Sequence, residues 1–208
     1  MSVTSLLRCW VIAFLALAPS MALAQRPESA PKPQSAPRFR RPCDFGEPRT
    51  RLEQLDAGLE RVIVRGSTTI GMLTGRNGTV RVEAIELREE GSAIRALGVV
   101  VTLKELEPAP SETRSFMDYE EIDPLIRGLD TVAKTDDTIT KLANFEAHYR
   151  TKGDLEIAGF RQTPGGAIAA AVSGGDCSRI RILLSLEELS KLRFMIVQAK
   201  ARLDEITP

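Results

Sequence analysis

Two stretches of the chain, "DYEEIDPLIRGL" (residues 118–129) and "SLEELSKLRFMI" (residues 185–196), carry the same local chemistry 67 positions apart. Each opens on a helix-capping residue, Asp118 or Ser185, whose side-chain oxygen can accept from the N–H groups that a helix start leaves without partners. Three residues on, Glu121 and Glu188 complete capping boxes, and Glu120 and Glu187 put negative charge where the helix dipole favours it. Ile122, Leu125, Leu129 and Val132 then follow the same 3–4–3 spacing as Leu189, Leu192, Ile196 and Ala199, one apolar stripe of a helix. Pro124 and Gly128 weaken the first helix, and the second continues to about Leu203.

The segments ahead of the two caps also match. "TTIGML" leads into "TGRNGT", where Asn77-Gly78 predicts a tight hairpin turn because both residues tolerate positive φ. Asn77-Gly78-Thr79 is also a glycosylation sequon, which the turn explains without a sugar. "VRVEAIEL" alternates with Val80, Val82 and Ala84 on one face; "IRALGVVVTLKEL" and "TRSFM" complete four strands before Asp118. In the second half "FEAHYRT", "LEIAGFR", "AIAAAVS" and "SRIRILL" are separated by "KGD", "TPGG" and "GGD" turns and run into Ser185. The small side chains of "AIAAAVS" predict close packing against another layer. The fold expected is therefore α+β: two antiparallel four-stranded units, each followed by a helix, as pseudo-repeats over about 62–134 and 143–205. "EPRTRLEQLDAGLERV" adds a short opening helix over 51–61, capped by Thr50, with Leu52, Leu55 and Leu59 on one stripe.

By layout, two four-stranded sheets each followed by a helix, the chain resembles the Whirly and transcription-coactivator type of fold. That resemblance implies nucleic-acid binding as one alternative. The charge distribution points elsewhere. Residues 25–42 are rich in proline, serine and alanine and carry five basic residues against Glu28, which makes them a basic linker or solvated spacer. The remaining domain, 43–208, has a net charge of −5, and an acidic domain repels phosphate backbones.

Residues 1–24 have the pattern of a secretory signal. Arg8 is their one charged residue, and "CWVIAFLALA" is an apolar run of roughly 15 Å as a helix, too short to span a bilayer. "ALA" then predicts cleavage between Ala24 and Gln25 and a secreted or periplasmic mature chain that does not span the membrane. Export would leave two cysteines, Cys43 and Cys177, for which one disulfide is expected. A loop of that length would gain about 5 kcal/mol at most in the chain-entropy picture.

Few residue patterns carry chemistry. No cofactor motif and no metal-ligand spacing occurs, and His148 is the one histidine. A hydrolase with Cys177 as nucleophile and His148 as base, or with a carboxylate centre, is the enzymatic alternative. Asp118, Glu120, Glu121 and Asp123 lie on the first turn of a helix, where capping accounts for them better than calcium does. The expectation is a non-catalytic binding or structural module, its partner a protein or glycan of the envelope or extracellular space rather than nucleic acid. The candidate contact surface lies within "AHYRTKGDLEIAGF" at His148, Tyr149, Arg150 and Lys152.

Overall fold

The computed structural model describes residues 47–207, apart from 107–109, 137, 143, 162–165 and 176–178. Thr50 caps α1 (Arg51–Asp56) through a capping box with Glu53. A first antiparallel meander follows: β1 (Ile63–Thr74), β2 (Gly78–Glu89), β3 (Arg95–Glu105) and β4 (Ser111–Asp118), paired in that order as sheet A. A single 3-10 turn at Tyr119–Glu121 leads into α2 (Ile122–Lys134). The second meander is β5 (Glu146–Arg150), β6 (Glu156–Arg161), β7 (Ile168–Gly174) and β8 (Ile180–Leu184), sheet B, followed by α3 (Leu186–Asp204). The doubled α+β layout read from the two caps is the fold. Among the described residues no helix is long and apolar enough to cross a membrane.

The helices do not cover the sheets that precede them. α2 lies on β5 and β6 of sheet B, with Val132 against Gly159 and the Tyr149 ring seated on Gly128. α3 lies mainly on β1, β2 and β3 of sheet A, where Met195 meets Gly71. The two helices also touch each other, and Arg193 of α3 holds Asp130 of α2 with two hydrogen bonds of 2.5 and 3.0 Å. That guanidinium holds the Asp130 carboxyl below its ordinary range. One apolar core results, in which Val82, Val99 and Val101 of sheet A, Ile157, Val172 and Ile182 of sheet B, and both helix stripes are all buried.

The hairpin turns are exchanged in the same sense. The β1–β2 turn reaches the edge of β8: Arg76 N–H donates to the Leu183 carbonyl at 2.9 Å, Leu183 N–H to Asn77 Oδ1 at 3.0 Å, and Asn77 Nδ2 to the Arg181 carbonyl at 2.8 Å. The Asn77 amide thus continues the β8 ladder as a backbone amide would. Neither Asn77 nor Gly78 has positive φ, so the expected primed turn does not form. Glycine is required by space instead: a Cβ on Gly78 would sit 2.2 Å from the Lys104 carbonyl oxygen, and one on Gly75 would sit 2.6 Å from that of Leu183. In return, the β5–β6 turn lies against β4, with Lys152 N–H donating to Glu121 Oε1 at 3.0 Å.

Three further expectations are corrected. α1 stops at Asp56 rather than running to 61; Glu60 is in the left-handed region at φ 58° and Leu59 is 85% exposed, outside any apolar stripe. β1 begins at Ile63, five residues before "TTIGML", because twelve-residue β2 offers partners along its whole length. Gly128 does not merely weaken α2: it is buried and makes room for an aromatic ring. β2 also buries both faces toward its end. Ile85 and Leu87 join Ala96, Val100 and Phe116 in a smaller core on the opposite side of sheet A, under Leu52 and Leu55 of α1.

Candidate interaction face

The outward face of sheet B is built by strand alternation, which sends Glu146, His148 and Arg150 of β5 to one side and Ala147 and Tyr149 to the other. Register places His148 opposite Ala158, Arg150 opposite Glu156, and Ser173 opposite Arg181. His148 and Arg150 are therefore surface residues of this face. Tyr149 points to α2, where burial and the Glu121 charge raise its hydroxyl pKa. Lys152 is exposed at the rim, its backbone N–H tied to Glu121. The candidate set is thus split by the pleat: three residues belong to the face or its rim, and Tyr149 belongs to the helix contact.

Other residues join them. Asp154, buried and at φ 64°, closes the β5–β6 turn and gathers guanidinium groups from separate elements. Arg150 donates to its carboxylate through Nε at 2.7 Å, Arg179 lies 3.2 Å from Oδ2, and Arg49 is 3.7 Å away. Arg179 also meets Glu156 at 3.0 Å. Arg181 of β8 stacks over the Phe160 ring of β6, 4.9 Å from its centre, and approaches Glu146 of β5 to 3.7 Å. Its side chain crosses β7, which presents Ala169, Ala171 and Ser173, all small, on this side. The alanines therefore serve two layers: Ala170 packs into the core, and Ala171 is buried on the outward side, which lies along the path of Arg181. Arg179, Arg181 and Phe160 were visible in the sequence only as alternating strand residues; the cue to their convergence was the run of small residues between them.

The carboxylates raised as chemical suspects have structural partners. Asp118 accepts from the Arg51 N–H at 2.9 Å and the Leu52 N–H at 3.1 Å, so it satisfies the start of α1 in addition to its own capping box. Glu121 receives the Asp118 N–H at 3.1 Å and the Lys152 N–H. Glu120 pairs with Arg51, and Asp123 lies 3.9 Å from Lys200. Repeat two keeps only the local half of this arrangement: Ser185 and Glu188 form an exposed capping box with no tertiary hydrogen-bond partner at the cap among the described residues. Asp118→Ala should therefore lower stability by about 2 kcal/mol, because buried N–H groups of α1 lose their acceptor. Ser185→Ala should cost about 1 kcal/mol or less. Chemical denaturation of the two variants side by side checks the asymmetry, and equal losses would contradict it.

Among the described residues no group of three or more histidine, cysteine, aspartate and glutamate side chains is placed to hold a metal ion. Cys43 and Cys177, and with them the expected disulfide and the cysteine-centred hydrolase reading, lie outside the described residues, as do the signal segment and the basic linker. No protein-family model, curated protein or solved structure matches the chain. The class is accordingly defined by architecture: an α+β domain of two four-stranded antiparallel sheets whose following helices are exchanged between them.

Proposed function

We propose that this protein is an exported, non-catalytic binding module that presents the outward face of sheet B to an acidic protein or glycan of the envelope or extracellular space. The observation that carries the reading is the set of arginines held on that face. Arg181 lies over Phe160, and Arg150 and Arg179 are fixed at Asp154. Guanidinium groups already ordered lose little freedom on meeting a carboxylate, and their planar forks suit it. With Arg49 and Lys152 beside them, five cations outnumber the three carboxylates of Glu146, Asp154 and Glu156. The employment of Asp118, Glu121 and Asp154 as acceptors for backbone or guanidinium donors supports a structural rather than a catalytic use of the acidic groups.

The test is retention of acidic envelope glycans and proteins on the immobilised mature chain. Retention should fall with added salt and be lost in Arg181→Glu. Retention that is unchanged in Arg181→Glu and His148→Ala, or cleavage of the retained material by the wild-type chain, would refute the reading. Salt-sensitive binding of single-stranded nucleic acid in preference to both would replace it with the alternative drawn from layout.

A further inference from the structure

We propose that β1 is a self-association edge, along which two copies of this chain pair antiparallel and join their sheets A into one eight-stranded sheet. β1 occupies an end of sheet A and, among the described residues, its ladder is paired only with β2. Residues 64–69 are exposed, so the strand is open along its edge, with the last turn of α3 beside Gly66 and Thr68 on one face only. Such an edge offers a row of backbone donors and acceptors whose complement is another strand.

Other edges of the molecule are blunted. That of β8 receives Arg76 and the Asn77 amide, and the β4 backbone has the 151–154 turn against it. β5 is five residues long and carries Glu146, His148 and Arg150. β1 has neither proline nor lysine, and Arg65, its one ionisable residue, is 3.6 Å from Asp56. Its bulge lies between Thr69 and Gly71, which leaves 63–69 regular.

The occupant is a second copy because this regular stretch is complementary to itself. A two-fold axis at Gly66 sets Val64 opposite Thr68 of the other copy, Arg65 opposite Ser67, and Ile63 opposite Thr69. Paired residues then share a face, as antiparallel pairing demands. No like charges stand directly opposite, each Arg65 has Asp56 of its own chain beside it, and glycine at the axis leaves room for the strands to approach. On the α3 side, a cavity of about 270 Å³ opens beside the edge, lined by Gly66, Thr68, Ala84, Arg202, Leu203 and Ile206. Val64, 49% exposed in the single chain, faces that side and would be delivered by each copy to the mouth of the other's cavity, beside Ile206, itself 42% exposed. The same contact is made twice, as a two-fold interface requires.

Sedimentation of the full mature chain across the micromolar range should show a species of twice the chain mass. Amide exchange at 64–69 should slow as concentration rises. The double substitution Val64→Lys with Thr68→Lys sets lysine against lysine at two positions and should weaken the dimer by about 100-fold. The corresponding double glutamate variant should do the same, and mixing the two variants should restore a dimer, which a merely misfolded variant could not do. A wild-type chain that stays monomeric overturns the proposal and leaves the edge to an extended segment of another protein. A dimer that survives the lysine substitutions, or whose 64–69 amides exchange as fast as in the monomer, overturns it in favour of a different interface.

Discussion

Gly153→Ala should be among the most damaging single substitutions in this protein, although it adds one methyl group to a hairpin turn. A Cβ at Gly153 would lie 1.9 Å from the Phe116 carbonyl oxygen and 3.0 Å from the Phe116 nitrogen. Both are backbone atoms of β4, a strand held by β3, so no flexible side chain can swing away. Relief requires lifting the β5–β6 turn, which breaks the Lys152 N–H bond to Glu121 and withdraws Asp154 from its arginines. We expect a loss of about 3 kcal/mol, the upper range for overpacking, or roughly 6–12 °C in Tm for a domain of this size. Gly66→Ala, melted at a concentration where the chain is monomeric, is the control: in the single chain its Cβ would meet nothing nearer than the Glu86 Cβ at 4.0 Å, and its effect there should lie within about 0.5 kcal/mol. Thermal melts of the two variants decide the matter. A Gly153→Ala protein as stable as wild type would show that the turn is not seated on β4.

Cutting the chain in the connection between α2 and β5, near exposed Ile139 and Leu142, should leave neither half able to fold cooperatively. Each sheet relies on the helix supplied by the other half. Without sheet B, α2 loses the surface that buries Ile122, Leu125, Leu129 and Val132. At roughly 1.5–3 kcal/mol per side chain this removes on the order of 6–12 kcal/mol, comparable to the whole stability of a typical domain. Sheet A in turn loses α3 over Val82, Val99 and Val101. Separately produced halves should therefore lack a cooperative melting transition and bind a hydrophobic dye, and mixing them should restore both near-UV dichroism and a single transition. A half that melts cooperatively by itself would mean that its helix folds back on its own sheet and that the exchange is not obligatory.

Much of this architecture is legible in local chemistry. Capping boxes at Thr50, Asp118 and Ser185, helical stripes after them, and period-two alternation in β2 and β8 are all set by residues within a few positions of one another. The same locality misled at two points. Asn77-Gly78 has the composition of a primed turn, but a contact with β8, more than a hundred residues away, uses the asparagine amide as a strand extension. Leu59 fits the stripe of α1, yet the helix has ended before it and no surface faces it. The candidate face was legible in half. His148 and Arg150 share a strand and obey its alternation, whereas Arg181 reaches the same face from β8 and Arg179 from the residue just ahead of it, and Arg49 approaches the Asp154 cluster from the segment ahead of α1.

By itself, the sequence determined the elements, their order and the repetition of a four-strand-plus-helix unit, because caps, turns and hydrophobic period are short-range effects. Only the tertiary structure decided which sheet each helix covers. An apolar stripe states that a surface must be buried but not against what, and two similar sheets offer two similar solutions. Tertiary structure likewise separated the two caps that look alike: Asp118 and Glu121 are buried where α1 and the β5–β6 turn converge on them, while the Ser185 and Glu188 bonds lie at the surface and, among the described residues, serve their own helix.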